Sequence, residues 1–225
     1  MNQEKPYFCR LFNPKKFGMD LARALVGPWL LLAYRPKAIF VSKEAKKSLH
    51  YHHGCIVTAN HFSLHDPFII GSTFWRRRMF FLVAEFIMKY PFRGWLLRRA
   101  GCIGVNRKIA DIEAMQITEK HLEQGDLITV FAEGGIQHQE GPASFKGGAV
   151  LMAVAANVPI IPCYFEKRKH WWNRYHVVVG ELFDPRKILG KEQASIPEIR
   201  VLTEQLYEKT KELEEVLHVN QGKRI

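Results

Sequence analysis

Residues 55–67 read Cys-Ile-Val-Thr-Ala-Asn-His-Phe-Ser-Leu-His-Asp-Pro. The β-branched run over 56–59 predicts a short buried strand ending at Asn60-His61. Pro67 suits the first turn of a helix reaching about residue 75, with Asp66 at its cap. A strand that hands the chain directly to a helix is the repeating unit of an α/β fold, and the pattern recurs. Strands are expected over 80–83, 102–105, 127–131, 160–165 and 175–179. Helices are expected over 92–100, stopped by Gly101, over 111–124, stopped by Gly125, and over 145–156 and 197–217. Strands alternating with helices predict an α/β domain with a mainly parallel central sheet flanked by helices.

The chain has 225 residues, of which 47% are hydrophobic and 24% charged. This composition argues against a disordered or collagen-like polypeptide. The length suits one domain with a small N-terminal appendage and buries enough surface to need no staple. The four cysteines, Cys9, Cys55, Cys102 and Cys163, form no C-x-x-C pair and match no common zinc spacing. They read as small buried hydrophobes of a reducing compartment, and no metal site is expected. The N-terminus lacks the layout of a secretory signal.

Lys and Arg number 33 against 22 Asp and Glu, a net charge of +11. Such an excess fits nucleic acid, an anionic membrane or a phosphorylated substrate. Its distribution is segmental. Residues 1–55 hold ten basic residues and three acids, residues 76–108 nine and one, and residues 109–145 one and seven. In the second segment Arg76, Arg77, Arg78, Arg93, Arg98 and Arg99 alternate with Phe80, Phe86, Phe92 and Trp95. That mixture suits a lipid headgroup boundary or single-stranded nucleic acid.

No stretch reads as a regular transmembrane helix. The uncharged run 147–165 is broken by Asn157, Pro159 and Pro162, and is expected to be a buried helix followed by a buried strand. Lys15, Lys16, Phe17, Leu21, Leu25, Trp29 and Leu32 follow a helical spacing, basic before apolar. Either an interfacial helix in a headgroup layer or a helix packed on the core would use it.

The chemistry centres on His61 and Asp66. An aspartate that accepts from one imidazole nitrogen fixes the tautomer, and the other nitrogen is then available as a general base. His65 is a neighbour of this pair. No nucleophile elbow accompanies it. Arg107 and Glu133 each follow an expected strand, and ligands of parallel sheets bind outside strand carboxyl ends, so His61, Arg107 and Glu133 could converge.

With these residues in place the chain resembles the glycerolipid acyltransferase family, whose members acylate glycerol 3-phosphate and lysophosphatidate. Four ordered blocks carry the resemblance: Asn60, His61 and Asp66 in N-H-x4-D; Gly101, Ile103 and Arg107; Phe131, Glu133 and Gly134; and Val158, Pro159 and Pro162. Phe145, Lys146 and Gly148 match a further F-K-x-G segment. The resemblance implies a glycerol-3-phosphate acyltransferase-like fold, with an N-terminal membrane-interfacial helical segment at 1–50 and an acyltransferase domain at 51–225. It implies His61 and Asp66 as catalytic residues. Asn60, Arg107, Glu133, Gly134, Lys146 and Pro159 would contact substrate: Arg107 and Lys146 as anion binders, Pro159 shaping a strand start near the acyl site. No cofactor is implied beyond acyl-CoA or acyl carrier protein as co-substrate. The partners are a lyso-lipid acceptor and an anionic membrane, with the enzyme peripheral or monotopic at the cytoplasmic face. Nucleic acid drops out, because no recognition motif is present.

One position departs from the pattern. Where the family has T-R-S after E-G, this chain has Gly135, Ile136 and Gln137. An isoleucine cannot pair with an acceptor phosphate. Another basic residue compensates, the acceptor is a different lyso-lipid, or the protein is a non-catalytic lipid-binding homologue.

Overall fold

The computed structural model describes residues 17–49, 51, 53–106, 111–136, 144–167, 170 and 172–222. The chain runs α1 (Phe17–Tyr34), β1 (Lys37–Phe40), α2 (Lys43–Ser48), β2 (Cys55–Ala59), α3 (Asp66–Thr73), β3 (Met79–Ala84), α4 (Glu85–Met88) and α5 (Pro91–Arg99). It continues with β4 (Cys102–Val105), α6 (Ile112–Glu123), β5 (Leu127–Phe131), α7 (Gly148–Ala156), β6 (Ile160–Phe165), β7 (His176–Val179), α8 (Pro185–Leu189) and α9 (Ile196–Asn220).

The strands form one sheet in the order β1-β7-β6-β2-β5-β3-β4. Among the described strand pairings only β6–β7 is antiparallel. All five residues of β2 are buried, because helices cover both faces. Cys55, Val57 and Ala59 point to one side, with Ile69 and Ile70 of α3 and Phe74 just after it. Ile56 points to the other, among Leu122 of α6, Val150 of α7 and Leu206 of α9. The 147–165 run is the helix-then-strand pair its sequence suggests, α7 and β6.

Two features differ from the sequence reading. Lys37–Phe40, read as part of a helical N-terminal segment, is an edge strand paired with β7, so the sheet begins upstream of residue 51. The Arg76-Arg77-Arg78 triplet is not a basic surface: Arg77 and Arg78 are buried. Arg77 donates to the carbonyls of His53 at 2.7 Å and Gly125 at 2.8 Å. Arg78 makes a two-point ion pair with Asp20 at 2.9 and 2.6 Å, tying α1 to the start of β3. A buried guanidinium is retained only when such partners satisfy its donors.

α1 is both packed and exposed. Tyr34 stacks on Phe68 of α3, while Leu21, Leu25, Trp29 and Leu32 remain exposed along the outer side. No described helix is long and apolar enough to cross a membrane.

Candidate active site

The carboxyl ends of β2 and β5 lie side by side, with Ala59 opposite Phe131. This register brings the loop after β2 against the turn after β5. Asp66 is not the helix cap expected from sequence. It is the first residue of α3, and His65 occupies the cap position without a side-chain cap bond. The Asp66 carboxylate turns back into the loop instead. Its Oδ2 accepts from the backbone N–H of Phe62 at 2.6 Å and of Ser63 at 2.8 Å, and Oδ1 accepts from the Ser63 hydroxyl at 2.7 Å. Asp66 is 1% exposed, and these donors compensate its lost hydration.

The remaining partner of Asp66 is His61 Nδ1, 2.9 Å from Oδ2. A carboxylate acceptor places the proton on Nδ1 and directs the lone pair to Nε2. The His61 ring stacks on Phe131 with centroids 4.1 Å apart and planes 15° apart, which fixes its orientation. Its side chain is 13% exposed, so the ring is sheltered yet reachable. Glu133, buried after β5, accepts from the His61 backbone N–H at 3.0 Å.

Gly134 has φ +74°, a conformation that favours glycine. A side chain there would also strike Lys146, whose Cδ would lie 2.7 Å from the added carbon. Lys146 itself is exposed, and its backbone N–H donates to Ala132 at 2.8 Å. His61, Asp66, Glu133, Gly134 and Lys146 therefore gather at the carboxyl ends of the central strands β2 and β5.

Two expected contacts fall elsewhere. Asn60 is fully buried and spends its amide on β6, donating to the Phe165 carbonyl at 2.7 Å and accepting its N–H at 3.1 Å. It joins the ends of two strands rather than facing a substrate. Pro159 precedes β6, and its carbonyl accepts from Ile56 at the opposite end of the sheet. The length of β2, roughly 16 Å at an extended rise, separates it from His61. Arg107 lies outside the described residues.

Ser63 and Tyr34 were missed by sequence reading. Ser63 anchors Asp66 from three residues upstream, a spacing typical of local serine hydrogen bonds. The Tyr34 hydroxyl lies 2.8 Å from His65 Nδ1, linking the end of α1 to the loop that carries His61. Nothing in the local sequence signals that contact.

A second H-x4-D occurs at His121 and Asp126, with Nδ1 and Oδ2 3.0 Å apart. It lies where α6 leads into β5, at the far end of the sheet, and its ring packs on Phe80. The motif spacing therefore supports a structural pair as readily as a catalytic one. Position at the strand carboxyl end, and the Glu133 contact, distinguish His61. Among the described residues no group of His, Cys, Asp and Glu is placed to hold a metal. Burial pushes the Cys55 thiol up to about 12 and raises that of Cys163 as well, so neither is a ready nucleophile.

Comparison with known proteins follows this geometry. A "Probable 1-acyl-sn-glycerol-3-phosphate acyltransferase" of Mycoplasma genitalium is 33% identical over 112 residues, 48% of this chain and 42% of that protein. A "Lyso-ornithine lipid O-acyltransferase" of Pseudomonas aeruginosa is 27% identical over 152 residues, 66% of this chain and 56% of that protein. The matched stretches thus span about half the length of these relatives. The crystal structure of the 1-acyl-sn-glycerophosphate (LPA) acyltransferase PlsC from Thermotoga maritima superposes with a TM-score of 0.62. At 20% identity, covering 93% of this chain and 86% of that one, it shows a shared fold. The Acyltransferase family model matches residues 39–166, more than half of the sequence, from within β1 to just past the end of β6. The chain belongs to the Acyltransferase family.

Proposed function

We propose that the protein is a membrane-associated O-acyltransferase that moves a fatty acyl group from an acyl thioester to a hydroxyl of a lyso-glycerolipid. The observation that carries this reading is the His61–Asp66 pair, with Asp66 held by three further donors and His61 held by Glu133. His61 Nε2 removes the proton of the acceptor hydroxyl as its oxygen attacks the thioester carbonyl. Collapse of the tetrahedral intermediate forms the ester and breaks the carbon–sulfur bond. The proton on His61 then neutralises the departing thiolate. Asp66 stabilises the transient imidazolium and keeps the ring in register.

Lys146, with Arg107, is the anion-binding group for acceptor or donor phosphate; the donor is acyl-CoA or acyl carrier protein, and no cofactor takes part. The exposed α1 stripe supports contact with an anionic bilayer, which we place at the cytoplasmic face.

Ile136 favours a second reading of the acceptor. It follows Gly134 by two residues, where the family pattern has an arginine, and offers no partner to a phosphate monoester. One relative is named for lyso-ornithine lipid rather than a phosphate acceptor. A panel of lysophosphatidate, lyso-ornithine lipid and larger-headgroup lysophospholipids, each with labelled acyl-CoA and acyl carrier protein, tests both readings. Transfer to lysophosphatidate supports the first, and transfer to a headgroup lacking a terminal phosphate supports the second. Absence of transfer to every acceptor contradicts the proposed activity.

A further inference from the structure

α4 and α5 leave Phe86, Phe92, Trp95 and Leu96 in solvent. α4 has no buried residue, and in α5 only Gly94 is buried. Gly94 locks the two helices together: its N–H donates to Tyr90, and a side chain there would sit 2.0 Å from the Met88 carbonyl oxygen. Around this joint Phe86, Tyr90, Phe92, Trp95 and Leu96 are each more than half exposed, Phe92 at 75%. Helices in proteins draw most of their stability from burying an apolar face. These two helices only half-bury Ile87, Met88 and Leu97 and leave the larger aromatic side chains outside.

The charges nearby are cationic. The Arg93 guanidinium lies 5.6 Å from the Tyr90 ring centroid, and that of Arg99 lies 5.5 Å from Trp95. The single acid of the pair of helices, Glu85, is 3.4 Å from Lys89. Aromatic rings carrying guanidinium groups match the boundary between acyl chains and phosphates.

The hairpin also faces the same way as α1. Gly104 of β4 points at Met88, and its strand partner Val83 shares a side with Phe81. Phe81 packs in the cluster that holds Ile70 of α3, on which α1 lies. One side of the sheet thus carries the exposed Leu25 and Trp29 of α1, Phe68 of α3, and the hairpin.

We propose that the α4–α5 hairpin is a second bilayer contact, seating Phe92 and Trp95 in the headgroup layer of an anionic membrane while Arg93 and Arg99 pair with lipid phosphates. The inference rests on the reading of this chain as a membrane-lipid acyltransferase, and the test separates the two.

The full chain and three double variants, Phe92→Glu/Trp95→Glu, Arg93→Gln/Arg99→Gln and Leu25→Glu/Trp29→Glu, are sedimented with phosphatidylcholine vesicles with and without phosphatidylglycerol. Val201→Glu, on exposed α9, is the control. Circular dichroism establishes that each variant is folded. The aromatic variant is expected to lose roughly tenfold or more in partitioning to both vesicles. The arginine variant should lose only the gain conferred by phosphatidylglycerol, which stands as the test if the aromatic variant fails to fold. Partitioning of both hairpin variants within twofold of wild type, with the α1 variant impaired, overturns the hairpin contact and leaves the α1 reading standing. If the wild-type chain binds neither vesicle, both fail.

Discussion

The buried carboxylate of Glu133 receives the backbone N–H of His61 at 3.0 Å, across 72 residues of sequence. The contact joins the loop after β2 to the turn after β5. It holds the backbone of the proposed base, and so predicts a positioning role for Glu133 where family resemblance suggests contact with the acceptor. Glu133→Gln keeps an acceptor oxygen, whereas Glu133→Ala leaves a sheltered N–H unpaired. The alanine variant is expected to lose about 1–3 kcal/mol in urea unfolding, with the glutamine variant closer to wild type. Loss of kcat at nearly constant acceptor KM in Glu133→Ala would mark positioning. A selective rise in KM would mark acceptor binding.

Asp66→Asn tests the tautomer. The amide keeps the shape of the side chain but offers only one acceptor oxygen to three or more donors. Acyl transfer should fall by roughly 100-fold to 10,000-fold in a protein that still folds. Activity within a few-fold of wild type would remove Asp66 from the mechanism.

Asn60 is assigned here to structure. Asn60→Ala strands both the N–H and the carbonyl of Phe165. The expected cost is about 2–4 kcal/mol by urea denaturation. An unaltered unfolding midpoint with a raised acceptor KM would return Asn60 to the substrate site.

Arg77→Met and Arg78→Met should each destabilise the protein by about 2–4 kcal/mol, because each leaves buried or half-buried acceptors unmatched. Lys120→Met, on the exposed side of α6, should stay within about 0.5 kcal/mol. Arg78→Met should also release α1, read as faster proteolysis of the N-terminal segment.

His176 predicts a pH dependence. Its pKa is lowered by burial first, then by the nearby charges of Lys37 and Arg174, with Glu166 opposing them. The unfolded chain therefore takes up this proton at a higher pH than the folded one. The sign follows: the contribution to stability is complete above the unfolded pKa near 6.5 and is lost as pH falls through that value toward the folded one. His176→Gln should flatten the stability profile in that window, measured as unfolding midpoint against pH.

The legible parts of the sequence were those where local pattern and burial agree. β2, β4, β5 and β6 are short apolar runs bounded by turns, and the structure places them within a residue or so of expectation. The four-residue β1 escaped because its pattern is half-exposed and its pairing with β7 is distant in sequence. The arginine triplet was misread for the same reason. What buries Arg77 and Arg78 is supplied by His53, Gly125 and Asp20, none of them adjacent. At the site, H-x4-D spacing brought out His61 and Asp66 but equally describes His121 and Asp126. The preceding Asn60, the surrounding blocks, the strand end and the Glu133 contact separate the two pairs. Pro159 matched its block by sequence, yet the parallel register places it at the far end of β6.

The central claim is that His61 is the base that deprotonates the acceptor hydroxyl. It is tested most directly by transfer of a labelled acyl chain from thioester to the preferred lyso-lipid with His61→Gln. That substitution keeps the backbone N–H that Glu133 receives. The account predicts an unchanged thermal transition within a few degrees and a fall in rate of roughly 100-fold or more. A folded His61→Gln protein that transfers acyl chains at a rate near wild type would contradict it.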